Sequence, residues 1–502
     1  MPSFGFIGPS YVSENPSVAN DRLVNLYPEL IESGTGPSKG AKYAYYNRPG
    51  LTLLANLGSS GRALWGGNNR LFAVIGSNLL EVNASGSVLH TYTIGGSGPA
   101  QIVFVPSGPG LSAPSSGALL VWDGSNGSSA NVWYVDGTTS TPPAVISGVG
   151  VGCIDGYGVV LRPPIPPGSS TDPIPINTID GTQFNLSQEY VANVWDPLQY
   201  AIKTGAPDQL QAVYTPGSAG GAGPEELWLF GKVSAEVWYD TGGSTLDPFP
   251  FQRVSGAFVM QGMWAANSAA ALDNSIFWLG GDQRGPGVVY RSNGYTPVRV
   301  SNHAVEYAIQ QYVLTGSDIS DAIGYTYEEN GHGFYVLNFP TAGATWVYDI
   351  TTQMWHERAH SGVSGGQLGY YHAWTLGKHF LLDSSGNLYS SSIATYQDNG
   401  NTITWQRTAP HVGSEFEWMR INQFMLMFGP SASITRNFTF EVSKDQGLSF
   451  PVSRSLSAPA IPGQPPPYQR ISARQLGRAR DWVFRVTSTD NCQQAWIDAF
   501  VK

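Results

Sequence analysis

The residues of this 502-residue chain whose types and spacing could do chemistry stand at His356-Glu357-Arg358-Ala359-His360, which spells H-E-x-x-H. On an α-helix, positions i and i+4 share a face, so two imidazoles converge on one Zn²⁺ while the Glu polarises a water. That chemistry needs a helix, and the flanking residues deny one. TWVYDITTQ before the motif reads as a β-branched and aromatic strand followed by a Thr-rich turn, and SGVSGG after it is glycine-rich. A third ligand is also missing, because no Glu lies between Glu357 and Glu415. The stretch is therefore expected to be a strand, with Trp355 packed between neighbouring sheets and His360 completing the spelling only.

Other candidate groups are scattered. His372 and His379 could join His356 and His360 around a metal, but on separate strands they are expected to be packing or surface residues without a second ligand shell. Glu225 with Glu226, and Glu328 with Glu329, read as solvated loop acids. A two-carboxylate glycosidase stays open as an alternative, because sequence does not fix carboxylate separation. The glycine clusters at 217–224 and 280–287 are not followed by a helix and so are loops, not phosphate cradles. Cys153 and Cys492 lack any ligand spacing. Neither a cofactor nor a metal is expected. The one basic cluster, Arg474, Arg478 and Arg480 in RQLGRARDWVFR, is either a solvated strand edge or a salt-bridged subunit contact.

The elements that would position these residues are strands. Charged residues make up only 12% of the chain, while Gly (60), Pro (35), Tyr (25) and Trp (15) abound, as in folds of many short strands and turns. A net charge of −10 argues against a surface that grips nucleic-acid phosphates, though a smooth acidic wall could face DNA without holding it. No signal-peptide pattern opens the chain and no run approaches 18 apolar residues, so a fold formed in a cytoplasm without a membrane span is expected.

Apolar hairpins starting at Leu71, Leu119, Leu227, Ile276, Phe334 and Phe380, with a weaker copy near 156–190, recur about every 50 residues, the period of propeller blades. The expected fold is all-β: an extended N-terminal docking segment (1–55), a β-propeller of six or seven blades (56–395) and a C-terminal β-sandwich (396–502). A sandwich or a pair of barrels in place of the propeller is the structural alternative. Helix is expected only at 302–313 and 196–205. Ser443-Lys-Asp445-Gln-Gly447-Leu-Ser-Phe450 fits the Asp-box turn, a local folding device also found in sialidases.

NPSVANDRLVNLYPE (15–29), YYNRPGLTLLA (45–55), FNLSQEYVANVWDPLQYAIKTGAPDQLQAV, ELWLFGKVSAEVWYDTG, VVYRSNGYTPVRVSNHAVE, YTYEENGHGFYVLNFPTAGATWVYDITTQMWHER and QLGRARDWVFRV resemble, in order, blocks of the packaged-DNA-stabilisation or tail-hub (nozzle) proteins of short-tailed bacteriophages. The resemblance implies a non-enzymatic virion protein, made in the host cytoplasm, that forms a homo-oligomeric, typically hexameric, ring below the portal and its adaptor. Such a ring retains packaged DNA, touches it without sequence-specific contact and conducts its ejection, and can carry a tailspike, fibre or tail needle. Asn20, Arg22, Asn25 and Tyr27 are then expected to dock on the adaptor or a neighbouring subunit, alongside the Arg474, Arg478 and Arg480 contact. The competing classes are a propeller glycosidase or sialidase-like enzyme and a carbohydrate- or receptor-binding tail module.

Overall fold

The structure, a computed structural model, describes residues 4–31, 43–107, 117–125, 129–164, 181–216, 225–243, 249–282, 285–413, 417–431, 433–463 and 468–502. Seven sheets of four or five antiparallel strands follow one another along the chain, at 61–93, 101–146, 150–202, 210–259, 262–299, 323–357 and 371–392. The first six build their blades from consecutive strands. The seventh is completed by Gly50–Asn56, which pairs with Asn387–Ser392, so one end of the chain closes the ring on the other.

Hydrophobic clusters sit between successive blades, not inside one central core. Phe72 and Val74 of the first blade meet Leu119 and Val121 of the second. Leu161 and Phe184 of the third meet Leu227 and Trp238 of the fourth, and Phe380 and Leu382 of the seventh return to Leu71 and Ala73. A sheet covered on both faces needs apolar residues at successive positions, and this is why RLFAVI, ALLVW and SIFWLGG read as continuous apolar runs and not as alternations. Trp355, 1% exposed, fills the seam between the fifth and sixth blades with Phe277, Val289 and Ile309.

The last hundred residues pack differently. Arg436–Ser443 alternates buried and exposed positions, as a strand with one wet face must. Two sheets close over Phe424, Phe428, Phe440, Trp482, Phe484 and Trp496. The N-terminal segment belongs to this body. Leu23–Val24 lies between Met354–Glu357 of the sixth blade and Trp405–Thr408, welding the propeller to the sandwich in one ten-stranded sheet. Leu26–Leu30 and Tyr43–Asn47 extend the opposite sheet. The segment expected to be an extended docking arm is therefore folded, because Leu23, Leu26 and Tyr45 bury their side chains completely in the sandwich core.

The helix expected near 302–313 forms as α1, His303–Leu314, capped by Asn302, whose side chain accepts from Val305 N at 3.0 Å. The one expected at 196–205 does not form. Val191–Ile202 is the long outermost strand of the third blade, where an edge position and a shifted register tolerate Pro197. The Asp-box turn is built as its residues require. Ser443 Oγ accepts from Gly447 N at 2.8 Å, Gly447 has φ +82°, and Asp445 accepts from Ser449 N at 3.0 Å. Hydrogen bonds from the Ser443 hydroxyl first, then from the Ser449 hydroxyl and the Ser449 backbone N–H, hold the Asp445 carboxyl down to about 2.

Candidate assembly site

The H-E-x-x-H stretch starts in the strand Met354–Glu357 and runs on without a helix, so its two histidines share no helical face. His356 is fully buried, and neither ring nitrogen has a hydrogen-bond partner among the described residues. Burial first, then the Arg358 charge and His332, push its pKa well below the ordinary value and keep it neutral. His360 lies past the strand end with Nδ1 3.1 Å from the Gly366 carbonyl. Glu357 pairs with Arg22 at 2.8 Å and accepts from Ser10 Oγ at 2.9 Å. Among the described residues no three His, Cys, Asp or Glu side chains converge as metal ligands would.

His372 and His379 lie in the seventh blade, Nε2 to Nδ1 at 3.0 Å, with Tyr325 stacked on His372 and Trp374 tilted against His379. Burial, with His379 and Arg358 nearby, lowers His372 to about 3. They line a cavity of about 20 Å³, room for roughly one water, together with Tyr327, Glu329 and Arg358. Glu329 is thus not the solvated loop acid its sequence suggests. Its carboxyl is mostly withdrawn from water, and burial raises its pKa against the pull of Arg358. Glu328 beside it is exposed.

The propeller axis is closed by side chains. Gln101 of the second blade donates to Asn267 of the fifth at 3.2 Å, and its carbonyl accepts from Val151 N of the third at 3.2 Å. The remaining cavity of about 260 Å³ is lined by the innermost strands, including Ala63, Val213, Ile323 and Tyr371. At one mouth a cavity of about 700 Å³ opens, bounded by Trp65, Phe104 and Tyr190 and by the carboxylates Asp155 and Glu225.

Of the residues expected at an interface, two lie inside the chain. Asn25 is 0% exposed with φ +62°, a conformation Asn tolerates better than most residues. Its amide donates to Ala359 O (2.9 Å) and Thr404 O (2.8 Å) and its oxygen accepts from Ala359 N (3.0 Å) and Arg48 Nε (2.8 Å), so it is a clasp between propeller and sandwich. Tyr27 is buried between His332 and Phe334, with ring centroids 5.0 and 5.3 Å away. Both face inward because short N-terminal strands turn their apolar face to the sandwich and sixth blade. Asn20 is half-buried and donates to Gly447 O at 3.0 Å, bracing the Asp-box, and Arg22 keeps part of its guanidinium at the surface.

Arg474, Arg478 and Arg480 are exposed on or just past strand Gln469–Ala479, the last of its sheet. Sequence reasoning missed what completes this surface. Arg420, on the neighbouring strand Met419–Phe428, stands directly opposite Arg478, Arg470 is exposed further along, and Arg478 and Arg480 lie 5.2 and 5.3 Å over Trp418. Only the strand register reveals this grouping; the alternation RISAR hinted that Arg470 and Arg474 share a face.

Seven sheets around a plugged axis, welded to a sandwich, define a β-propeller protein. Residues 174–388 match the family model described as Phage_stabilise: Bacteriophage P22 Gp10, beta-propeller, and this match supports a place in the phage DNA-stabilisation family. The matched family is one of phage structural proteins. Among solved structures, the chain is similar to BamB from Moraxella catarrhalis (9% identity, 74% of this chain and 98% of that one, TM-score 0.38). It is also similar to the RRP9 WD40 repeats (9%, 69% and 99%, TM-score 0.40) and to exo-beta-1,3-galactanase from Phanerochaete chrysosporium (9%, 99% and 100%, TM-score 0.24). No curated protein matches the chain in sequence.

Proposed function

We propose that this chain is a non-enzymatic tail component that assembles as a ring, six copies being the expected number, below the portal and its adaptor, where it retains packaged DNA and conducts its ejection. The observation that carries this reading is the match of the propeller to a phage stabilisation family, joined to an axis that side chains close. A conduit for DNA then has to lie between copies and not along one propeller. The weld between propeller and sandwich suits such a load, since Leu23–Val24 ties both bodies into one sheet. An acidic surface with few charges lets DNA slide past without the counterion-release trapping that a basic wall would cause. Adaptor contact is assigned to the partly exposed Asn20 and Arg22, and a tailspike, fibre or needle would sit on the distal side of the ring.

The test is to mix the purified chain with the portal–adaptor complex and image the product. A closed ring on the adaptor, with particles lacking the chain leaking their DNA, is the expected result. A chain that stays monomeric beside the adaptor, or that hydrolyses glycosidic bonds as a monomer, overturns the reading.

A further inference from the structure

Two surfaces of this chain carry charge that its own fold leaves unanswered. On the sandwich, Arg420 and Arg478 are cross-strand partners, and Arg470, Arg474 and Arg480 stand exposed on or beside the same edge strand. Like charges directly opposite each other destabilise a sheet, and no carboxylate answers these five arginines within ion-pair distance among the described residues. Trp418, 55% exposed, lies beneath two of the guanidinium groups. Arginine around a bare tryptophan is the composition that dominates binding energy at protein interfaces.

The second surface is on the propeller. Asp155 and Glu189 occupy turns of the third blade, and Glu225 and Asp240 stand at the same end of the fourth. The Asp155 carboxyl is pushed up to about 6, by burial first and then by Glu225, Asp240 and Glu189. None of the four is in an ion pair among the described residues. Asp155 and Glu225 border the cavity of about 700 Å³, whose lining of Trp65, Phe104 and Tyr190 suits an incoming indole.

We infer that the arginine and Trp418 face of one copy docks on the carboxylate face of the third and fourth blades of the next copy, a head-to-tail contact between unlike patches. This rests on the ring reading above and deepens it by naming the two halves of the contact. A second copy is favoured as occupant because the complementary patch lies on the same chain. The arginine face meeting itself would only double the like-charge repulsion, so a two-fold contact there is disfavoured. Unlike patches joined by a rotation that closes make a ring. Each copy then carries one arginine face and one carboxylate face, and every one is filled.

The experiment uses the full chain with the portal–adaptor complex, read by sedimentation velocity. One variant carries Arg474→Glu, Arg478→Glu and Arg480→Glu, and the other carries Glu189→Lys, Glu225→Lys and Asp240→Lys. Each alone should associate with itself roughly 100-fold more weakly or worse, because like charges then face each other across the contact. An equimolar mixture should recover rings, since both junctions of a mixed ring pair opposite charges. Near-UV circular dichroism reports folding. If either reversal misfolds, Arg478→Gln with Arg480→Gln replaces it and should still weaken association measurably. Folded reversal variants that assemble like the native chain, or a mixture that recovers nothing, overturn the inference while leaving the ring intact. Loss of binding to a short DNA duplex by the arginine variant, with assembly unchanged, overturns it in favour of a nucleic-acid face. A native chain that forms no ring removes the ring reading itself, and this contact with it.

Discussion

The arginines at the two ends of this chain are treated in opposite ways. Near the N-terminus Arg48 is 2% exposed, pairs with Asp398, and donates to Asn25 Oδ1, Pro49 O and Ala359 O. Arg407, equally buried, donates to Phe6 O and Pro9 O at 2.8 Å. Near the C-terminus, Arg474, Arg478 and Arg480 are exposed, with no carboxylate in ion-pair distance among the described residues. A buried guanidinium is kept only where its donors are satisfied, so the first set marks where the chain closes on itself. The second set marks where closure has been left to something else. The N-terminal segment and the arginine edge were expected to act together as docking surfaces, and the structure separates them into a clasp and an open face.

Deleting residues 1–45 is the harshest way to break the comparison. It strips the strands at Leu23–Val24 and Leu26–Leu30 and part of Tyr43–Asn47, exposing Phe424, Trp496 and their neighbours. The expected result is loss of a cooperative fold and of soluble protein, not a folded chain that fails to assemble. A truncated chain with native near-UV circular dichroism but no tail assembly would return the segment to a docking role.

Arg48→Ala comes next. It leaves the Asp398 carboxylate, itself buried, without its partner, and breaking such a pair costs about 3–5 kcal/mol. The matching change, Arg474→Ala, should move stability by no more than about 0.5 kcal/mol. Urea unfolding of the two variants side by side measures the contrast, and equal costs would erase the distinction between clasp and open face.

Acid should attack the clasped half first. His372 is lowered to about 3 in the fold but titrates near its ordinary value of 6.5 when unfolded, so the unfolded chain binds more protons between those limits. The stability it supports is complete above pH 6.5 and is lost as pH falls toward 3; His356 acts in the same direction. Between pH 6.5 and 5 the native chain should lose about 2 kcal/mol more than His372→Phe. Parallel urea midpoints for the two proteins over that interval would show that His372 is not held neutral.

How far these differences were legible in the sequence depends on the range of the interaction. The blades were visible because each is local: strand, turn and strand lie within about 50 residues, and continuous apolar runs announce sheets covered on both faces. The Asp-box was visible for the same reason, as all its bonds fall within residues 443–449. The motif at 356–360 was legible as a strand from its neighbours alone. The fate of residues 20–30 was not, since Asn25 meets Ala359 and Thr404, more than 300 positions away, and a short polar segment in one dimension looks the same whether it is clasped or free. The like-charge pair was hidden too, because Arg420 and Arg478 become neighbours only through strand register.

Arg22 stands between the two kinds of arginine, partly exposed and paired with a partly buried Glu357. Arg22→Ala should cost about 1 kcal/mol, the upper end for an exposed pair, because it also releases the Val363 carbonyl. If Arg22 is only a clasp, the variant should assemble normally at low temperature. Failure to bind the adaptor with stability unchanged would place it at an interface.

The smallest effect separates the two regions most cleanly, because its sign is unusual. Neutralising a residue that holds a fold together lowers stability, whereas Arg478→Gln removes a like-charge pair with Arg420 and gives up a cation–π contact to Trp418, which is more than half exposed. Cross-strand like charges cost a few tenths of a kcal/mol, and an exposed cation–π contact returns a comparable amount, so the isolated monomer should be unchanged or more stable by up to roughly 0.5 kcal/mol. The same variant should weaken association between copies. A residue that does nothing for its own chain and something for the next is what an assembly surface requires. A variant that loses both monomer stability and association would instead make Arg478 part of the fold, and the open face would shrink to Arg420, Arg470, Arg474 and Arg480.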